Sequence, residues 1–296
     1  MPIRSPLLFL FCLILSLGVP AQGAKKIKRK SKTTESIIKK PRQTPKPLPL
    51  SGEISATHVM GFTDTSDPVT EFSIRGSWTP KLGNSFSLIQ PMTKLYVISP
   101  DNNEFLLLDT IINYSRSLTT STSAIVGLSL PVSEFSQSQG VITKPSLKVR
   151  YLSKDILDGF SLSVTPAIIY YVNQYQTTIS KDGAGGGKPL RQMTAGVSLV
   201  GTYRFTHTLS LSLMAGWSRI FYEEIDLKNA DTDSSETNIP DLTYVYDLSL
   251  TYALNESLSI AGGLSHGDRV EKYGGIEINA FDPYITQWYL STALTF

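Results

Sequence analysis

Three groups of side chains in this sequence have the types that chemistry requires: three histidines, a glycine-rich segment and an acidic run. A histidine can act as a general base when a nucleophile and an orienting partner lie within hydrogen-bond reach. The histidines are His58, His207 and His266, and the residues two positions after them are Met60, Leu209 and Asp268. None of the three histidines therefore has a serine two residues after it. We expect all three to lie in strands or turns, and we expect no catalytic residue.

The glycine-rich segment runs from Asp182 to Lys188 and superficially matches a phosphate-binding loop. Asp182 stands where that motif needs its first glycine, and Pro189 replaces the hydroxyl residue that should follow the lysine. The acidic run follows Tyr222, but it lacks the glycine-bearing spacing of a known calcium loop. We therefore assign no metal site and no cofactor to either segment.

Strand-like alternation of apolar and polar residues dominates the chain after Gly52. In Leu242–Leu254, for example, leucine and tyrosine occupy every second position, and Thr243, Asp247 and Ser249 lie on the other face. Such a period of two predicts half-buried β-strands. Twelve strands are predicted: 53–62, 69–79, 86–99 (with a bulge or bend at Pro91), 104–117, 122–132, 146–153, 160–172, 193–205, 209–221, 242–254, 257–266 and 284–296.

The connections between these strands alternate between short turns and links that are mostly long. Outer-membrane barrels show the same alternation, with short periplasmic turns and longer external loops. An even strand count also places both ends of the barrel sequence on one side. The pattern predicts an all-β fold, a closed antiparallel up-and-down transmembrane β-barrel of about twelve strands.

The last strand carries a resemblance to a known class. Its aromatic and apolar residues at every second position, ending in a phenylalanine, resemble the signal by which Gram-negative outer-membrane β-barrel proteins are handed to the barrel-assembly machinery. The matching residues are Trp288, Leu290, Leu294 and Phe296, whereas Thr292 departs from the pattern. Twelve-stranded outer-membrane phospholipases carry a histidine and a serine two residues apart, which this chain lacks, so we expect no enzyme.

The N-terminal region differs in composition from the rest. Residues 1–24 have a basic residue and then an apolar run too short to span a bilayer, which indicates a cleaved export signal. Residues 25–50 contain ten basic residues, one acid and several prolines, and are predicted to be a flexible periplasmic arm. Residues 51–296 form the predicted outer-membrane barrel, with an excess of eight acidic residues despite the overall charge of +2.

Charged residues that alternation places on the inner face are the candidates for function. Arg or Lys on the lipid face near the midplane would cost ~2–4 kcal/mol, so these side chains are expected to be hydrated or paired. The lumen candidates are Glu71, Arg75, Asp109, Lys148, Arg150, Arg204, Asp247 and Gln287. The cations either favour anionic solutes or neutralise Glu71, Asp109 and Asp247, and the sequence leaves both readings open.

Together these features predict a porin-like, narrow passive channel for small polar or anionic solutes in the cell outer membrane. The alternative is a non-conducting structural or surface-interaction barrel with a filled lumen. Expected partners are outer-membrane lipid and lipopolysaccharide, the barrel-assembly machinery, and cell-wall polymer contacted by the basic arm. Nucleic acid is not expected, because no aromatic residues interleave the basic ones.

Overall fold

A computed structural model describes residues 50–63, 68–96, 105–177, 189–223, 241–272, 275–276, 278 and 281–296. Twelve strands form its wall. They are β1 (Leu50–Gly61), β2 (Val69–Lys81), β3 (Asn84–Leu95), β4 (Thr110–Ser117), β5 (Thr122–Leu130), β6 (Val141–Leu157), β7 (Phe160–Tyr170), β8 (Arg191–Arg204), β9 (Leu209–Tyr222), β10 (Asp241–Ala253), β11 (Leu258–Arg269) and β12 (Gln287–Thr295). The predicted export signal lies outside the described residues, as does all of the predicted arm except Leu50.

The sheet closes into a ring of antiparallel neighbours. Each wall strand pairs with the next along the chain, and β1 pairs with β12 from Glu53 opposite Thr295 to Gly61 opposite Gln287. Closure leaves no strand edge in hydrocarbon, where unpaired backbone groups would cost several kcal/mol each. The prediction of a closed twelve-stranded up-and-down barrel is confirmed.

The two ends of the barrel differ in the length of their connections. One end, called here the turn end, carries five links of two to four residues, and both Leu50 and Phe296 lie there. Gly83 and Gly159 occupy two of these turns with φ of 85° and 76°, a conformation that side chains disfavour. The other end, called the loop end, carries the six longer connections.

Apolar side chains cover the outside of the barrel, and a smaller number, such as Ile89 and Ile125, face its interior. Only four hydrophobic residues among those described are buried, whereas more than thirty large ones are exposed. Leu213 is 54% exposed and Leu248 40%, although the two lie opposite each other in mid-barrel on β9 and β10. An exposed apolar surface of this extent is typical of a barrel surrounded by lipid.

β6 is much longer than the predicted strand 146–153. Its first residues pair with Val172 and Asn173 on one side and with Leu128 and Ser129 on the other. Pro145 lies within this extension, opposite Leu128. Because proline lacks a backbone N–H, its presence indicated a loop, yet the ladder continues through its neighbours.

The predicted fourth strand is divided. A short strand, Phe105–Leu107, is separated from β4 by Leu108 and Asp109. On β3, two residues lie between Ile89 and Met92. Their pairing partners, Ile111 and Leu107, have three residues between them. The irregularity expected at Pro91 is therefore present, with the extra residue on the adjacent strand.

The side chain of Gln90 bridges that irregularity. Its Nε2 donates to the carbonyl oxygen of Leu108 at 2.8 Å, and the Thr110 hydroxyl donates to its Oε1 at 2.5 Å. The N–H of Leu108 donates to the carbonyl of Pro91 at 3.1 Å. These bonds satisfy polar groups where the regular ladder is interrupted.

The end of the chain is paired with β1. The N–H groups of Gly52 and Phe296 donate to each other's carbonyl oxygens at 2.7 and 3.0 Å. The Phe296 ring lies directly over Gly52, where a Cβ would come within 2.4 Å of it. Helix α1 (Glu134–Ser138) is short, and no helix in the described part of the chain is long and apolar enough to cross a membrane.

Leu248→Arg should lower the free energy of unfolding by about 2–4 kcal/mol, because the guanidinium would face hydrocarbon near mid-barrel. The measurement is urea unfolding of the barrel refolded in lipid vesicles. Ser198→Arg on β8, whose side chain faces the barrel interior, is the control and should destabilise less. Equal losses in the two variants would contradict the assignment of the faces.

Candidate functional site in the barrel lumen

A cavity of about 760 Å³ lies inside the barrel. Its charged lining residues are Arg75, Lys148 and Arg150, and no aspartate or glutamate among the described residues lines it. The other lining residues are mostly small polar residues, with aliphatic residues such as Ile89 and Ile125 among them. The polar ones include Ser87, Asn113, Ser163, Thr165, Ser198 and Ser218. The cavity is therefore positively charged and rich in hydroxyl groups.

Strand pairing explains how the three cations reach the cavity. Lys148 and Arg150 are two residues apart on β6, so they project from the same face. Lys148 lies opposite Ile125, and Arg150 lies opposite Ser123. Arg75 projects from β2, opposite Glu53 and Ile89. None of the three cations forms an ion pair with another described residue.

Asp247 and Tyr289 form a hydrogen bond on the wall made by β10, β11 and β12. The Tyr289 side chain extends across β11, and its hydroxyl donates to Asp247 Oδ1 at 3.0 Å. Gly263 allows this close approach, since a Cβ there would lie 2.6 Å from the tyrosine ring and hydroxyl. The aromatic ring therefore lies along the wall over the glycine.

Asp109 has a different environment from the one expected. Its carboxylate is 2.6 Å from the ammonium of Lys144, which was not among the predicted site residues. Ser133 Oγ donates to Oδ1 at 2.5 Å, and Ser136 Oγ donates to Oδ2 at 2.6 Å. Ser133 also caps helix α1 by accepting from the N–H of Ser136. We call this group the loop clasp, because it joins residues 131–140 to the barrel wall at the loop end.

The remaining lumen candidates are dispersed. Glu71 lies on β2 opposite Thr57, and Gln287 lies on β12 opposite Gly61. Arg204 is exposed at the turn end and does not line the main cavity. The cations Arg75, Lys148 and Arg150 do not neutralise Asp109 or Asp247, whose partners are Lys144 and Tyr289.

The alternation of inner and outer residues could have suggested Lys144, because Lys144 continues the series Ser146, Lys148 and Arg150 at every second position of β6. Lys144 was not predicted because Pro145, which follows it, indicated a loop. Tyr289 could not be found in this way, since its contact with Asp247 spans a third strand, and alternation says nothing about contacts between distant strands.

The histidines lie outside the lumen. His58 pairs with Leu290 on the outer face, and its Nδ1 is 2.8 Å from the Thr70 hydroxyl. His266 is 1% exposed, with its two ring nitrogens 3.1 and 2.9 Å from the hydroxyls of Tyr244 and Thr286. His207 lies in the turn between β8 and β9.

Two of the groups weighed in the sequence lie mostly beyond what the structure describes. The glycine-rich segment 182–188 is outside the described residues, as is the acidic run between Glu223 and Asp241. Within the described ranges, no cluster of three or more histidine, cysteine, aspartate or glutamate side chains could hold a metal ion.

Comparison with known proteins shows a similarity of fold. No protein-family model and no curated protein matches the chain. The solved NanC porin is similar at a TM-score of 0.50 and 11% identity, over 83% of this chain and 98% of that one. The chain has the fold of an outer-membrane β-barrel. At 11% identity the likeness shows the fold alone.

Two further solved structures are similar at lower TM-scores. The CymD monoaromatic hydrocarbon channel has a TM-score of 0.45 and 7% identity, over 84% of this chain and 87% of that one. LpxR from Salmonella typhimurium has a TM-score of 0.43 and 10% identity, over 83% of this chain and 99% of that one.

Asp109→Asn should release the loop clasp. The amide nitrogen cannot accept from Lys144 or Ser136, and loss of charge-assisted hydrogen bonds of this kind costs about 1.5–3 kcal/mol. Hydrogen exchange of the amides in residues 133–140 should become faster. Glu71→Gln is the control, since Glu71 makes no described ion pair. Unchanged exchange in Asp109→Asn would contradict the role of the clasp.

Gly263→Ala should lower the free energy of unfolding by about 1–3 kcal/mol, because its Cβ would lie 2.6 Å from the Tyr289 hydroxyl and 2.5 Å from the carbonyl oxygen of Leu248. The control is Gly262→Ala on the same strand, where the nearest atom to a Cβ would be 3.8 Å away. Urea unfolding in vesicles measures both. A loss as large in the control would show that the cost does not come from the close contacts at Gly263.

Proposed function

We propose that the protein is a narrow passive channel of the outer membrane for small polar or anionic solutes. The observation that carries this proposal is the charge of the lumen cavity, whose described lining residues include three cations and no aspartate or glutamate. A cation without an ion-pair partner in a partly hydrated cavity attracts anions, and low-dielectric walls focus its field.

The small lining residues support the same function. Serine, threonine and asparagine side chains can replace part of a solute's hydration as it passes, without filling the cavity. Eight-stranded barrels are just wide enough to be filled by side chains, and sixteen-stranded porins hold an open aqueous channel. A twelve-stranded barrel lies between these cases, which favours small solutes.

The proposed topology follows the short and long connections. The turn end faces the periplasm and carries the basic arm, and the loop end faces the outside, as in barrels of this fold. We propose that lipid and lipopolysaccharide surround the outer face, and that Trp288, Leu290, Leu294 and Phe296 are the signal for the barrel-assembly machinery. The basic arm would contact anionic cell-wall polymer.

Single-channel recording in planar bilayers tests the function. The wild-type barrel should conduct and prefer anions, and Arg75→Ser/Lys148→Ser/Arg150→Ser should lose most of that preference. A charge about 4 Å from the solute contributes roughly 1 kcal/mol in water. Three such charges would give a preference of more than tenfold if their effects added.

The control for the triple variant is Lys94→Ser/Arg219→Ser. Both side chains lie on the outer face, where they stack over the rings of Tyr96 and Phe221. This variant should keep the anion preference. A correctly folded wild-type barrel that never conducts would contradict the channel and favour the alternative, a structural or surface-interaction barrel with a filled lumen.

A further inference from the structure

A row of aromatic rings follows the outer face at the turn end. Trp78 stacks on Phe86 with ring centroids 5.6 Å apart, and Phe86 contacts Tyr114 at 4.9 Å. Strand pairing produces the row, since these residues lie opposite one another on β2, β3 and β4. Trp78 is 48% exposed and Phe86 42%, so the rings are available to a ligand.

Hydrogen-bond donors lie directly beyond this row. Lys81 is opposite Asn84, and Asn84 is opposite Arg116 on the next strand. Together with the three rings they form what we call the basic aromatic patch. A groove of about 310 Å³ runs through it, lined by Pro80, Lys81, Asn84, Phe86 and Tyr114.

The orientation of Asn84 leaves its amide donors available. The Tyr114 hydroxyl donates to Asn84 Oδ1 at 3.0 Å, which fixes the carbonyl oxygen toward the tyrosine. The amide nitrogen then points to the other side with two N–H groups. The groove therefore has an amide donor beside an ammonium group, with a guanidinium group next to it in register.

No acidic residue on the turn-end halves of these three strands balances the two cations. Residues 76–90 and 110–124, which form the turn-end halves of the three strands, contain no aspartate or glutamate. Neither Lys81 nor Arg116 forms an ion pair with a described residue, and both are exposed. The patch therefore carries two positive charges at the rim of the apolar surface.

We propose that the basic aromatic patch binds the head group of an anionic phospholipid in the leaflet at the turn end. Lys81, Arg116 and Asn84 would donate to the phosphate, for which guanidinium and ammonium groups are well suited. The aromatic row would contact the glycerol and the first methylenes of the acyl chains, as aromatic residues do at membrane interfaces. The proposal depends on the membrane placement proposed above.

The position of the groove favours a lipid over a soluble anion. Beyond Phe86 the same face continues with Leu88, which is 53% exposed on the apolar surface. A ligand that fills the groove and follows this face has a charged end and an apolar end. A phospholipid has both, and each cation near an anionic head group increases binding roughly fivefold.

Fluorescence quenching by brominated lipids tests the site in the full barrel. In a Trp217→Phe/Trp288→Phe background, Trp78 is the only remaining tryptophan. Brominated phosphatidylglycerol at low mole fraction in phosphatidylcholine vesicles should quench Trp78 several-fold more than the same fraction of brominated phosphatidylcholine. Lys81→Ser/Arg116→Ser should remove the difference between the two lipids.

The control is Lys148→Ser/Arg150→Ser, which removes two cations from the lumen and should leave the lipid preference of Trp78 intact. Equal quenching by the two lipids in the unmodified patch would overturn the head-group site while leaving the membrane placement and the channel standing. Absence of quenching by either lipid would place Trp78 outside the bilayer, and would overturn both the site and the membrane placement.

Discussion

Backbone hydrogen bonding is the constraint on which the rest of this structure depends. A peptide group in hydrocarbon has no water to bind, so every strand needs a partner on both sides. The pairing of β1 with β12 supplies the last of these partners and turns a sheet into a ring. Where the ladder is irregular, beside Pro91, the amide of Gln90 and the Thr110 hydroxyl supply hydrogen bonds.

Closure also separates the chemistry of the two faces. Because successive residues of a strand point to opposite sides, one sequence presents leucine to the outside and serine or a charged residue to the inside. Leu248 and Ser249 on β10 illustrate the division, since they are adjacent in sequence and differ completely in surroundings. The barrel therefore lacks an ordinary apolar core, and its interior can hold charge and water.

The charges within that interior are arranged unevenly. Asp109 and Asp247 each have a partner, Lys144 and Tyr289, whereas the cations of the main cavity have no described ion pair. Neutralisation of the lumen by its own acids is thus incomplete. The loop clasp around Asp109 also holds residues 131–140 at the loop end.

The sequence by itself determined the barrel, the approximate position of each strand and the face on which a residue such as Lys148 or Arg150 lies. These are local properties, because the alternation of apolar and polar residues depends only on neighbouring positions in the sequence. Partners across the barrel wall were decided only by tertiary structure. The contact of Tyr289 with Asp247 depends on strand register, Asp109 meets Lys144 through an interrupted strand and a loop, and Lys81 approaches Arg116 only when three strands align. Each of these joins residues distant in sequence, and no local pattern specifies such distances.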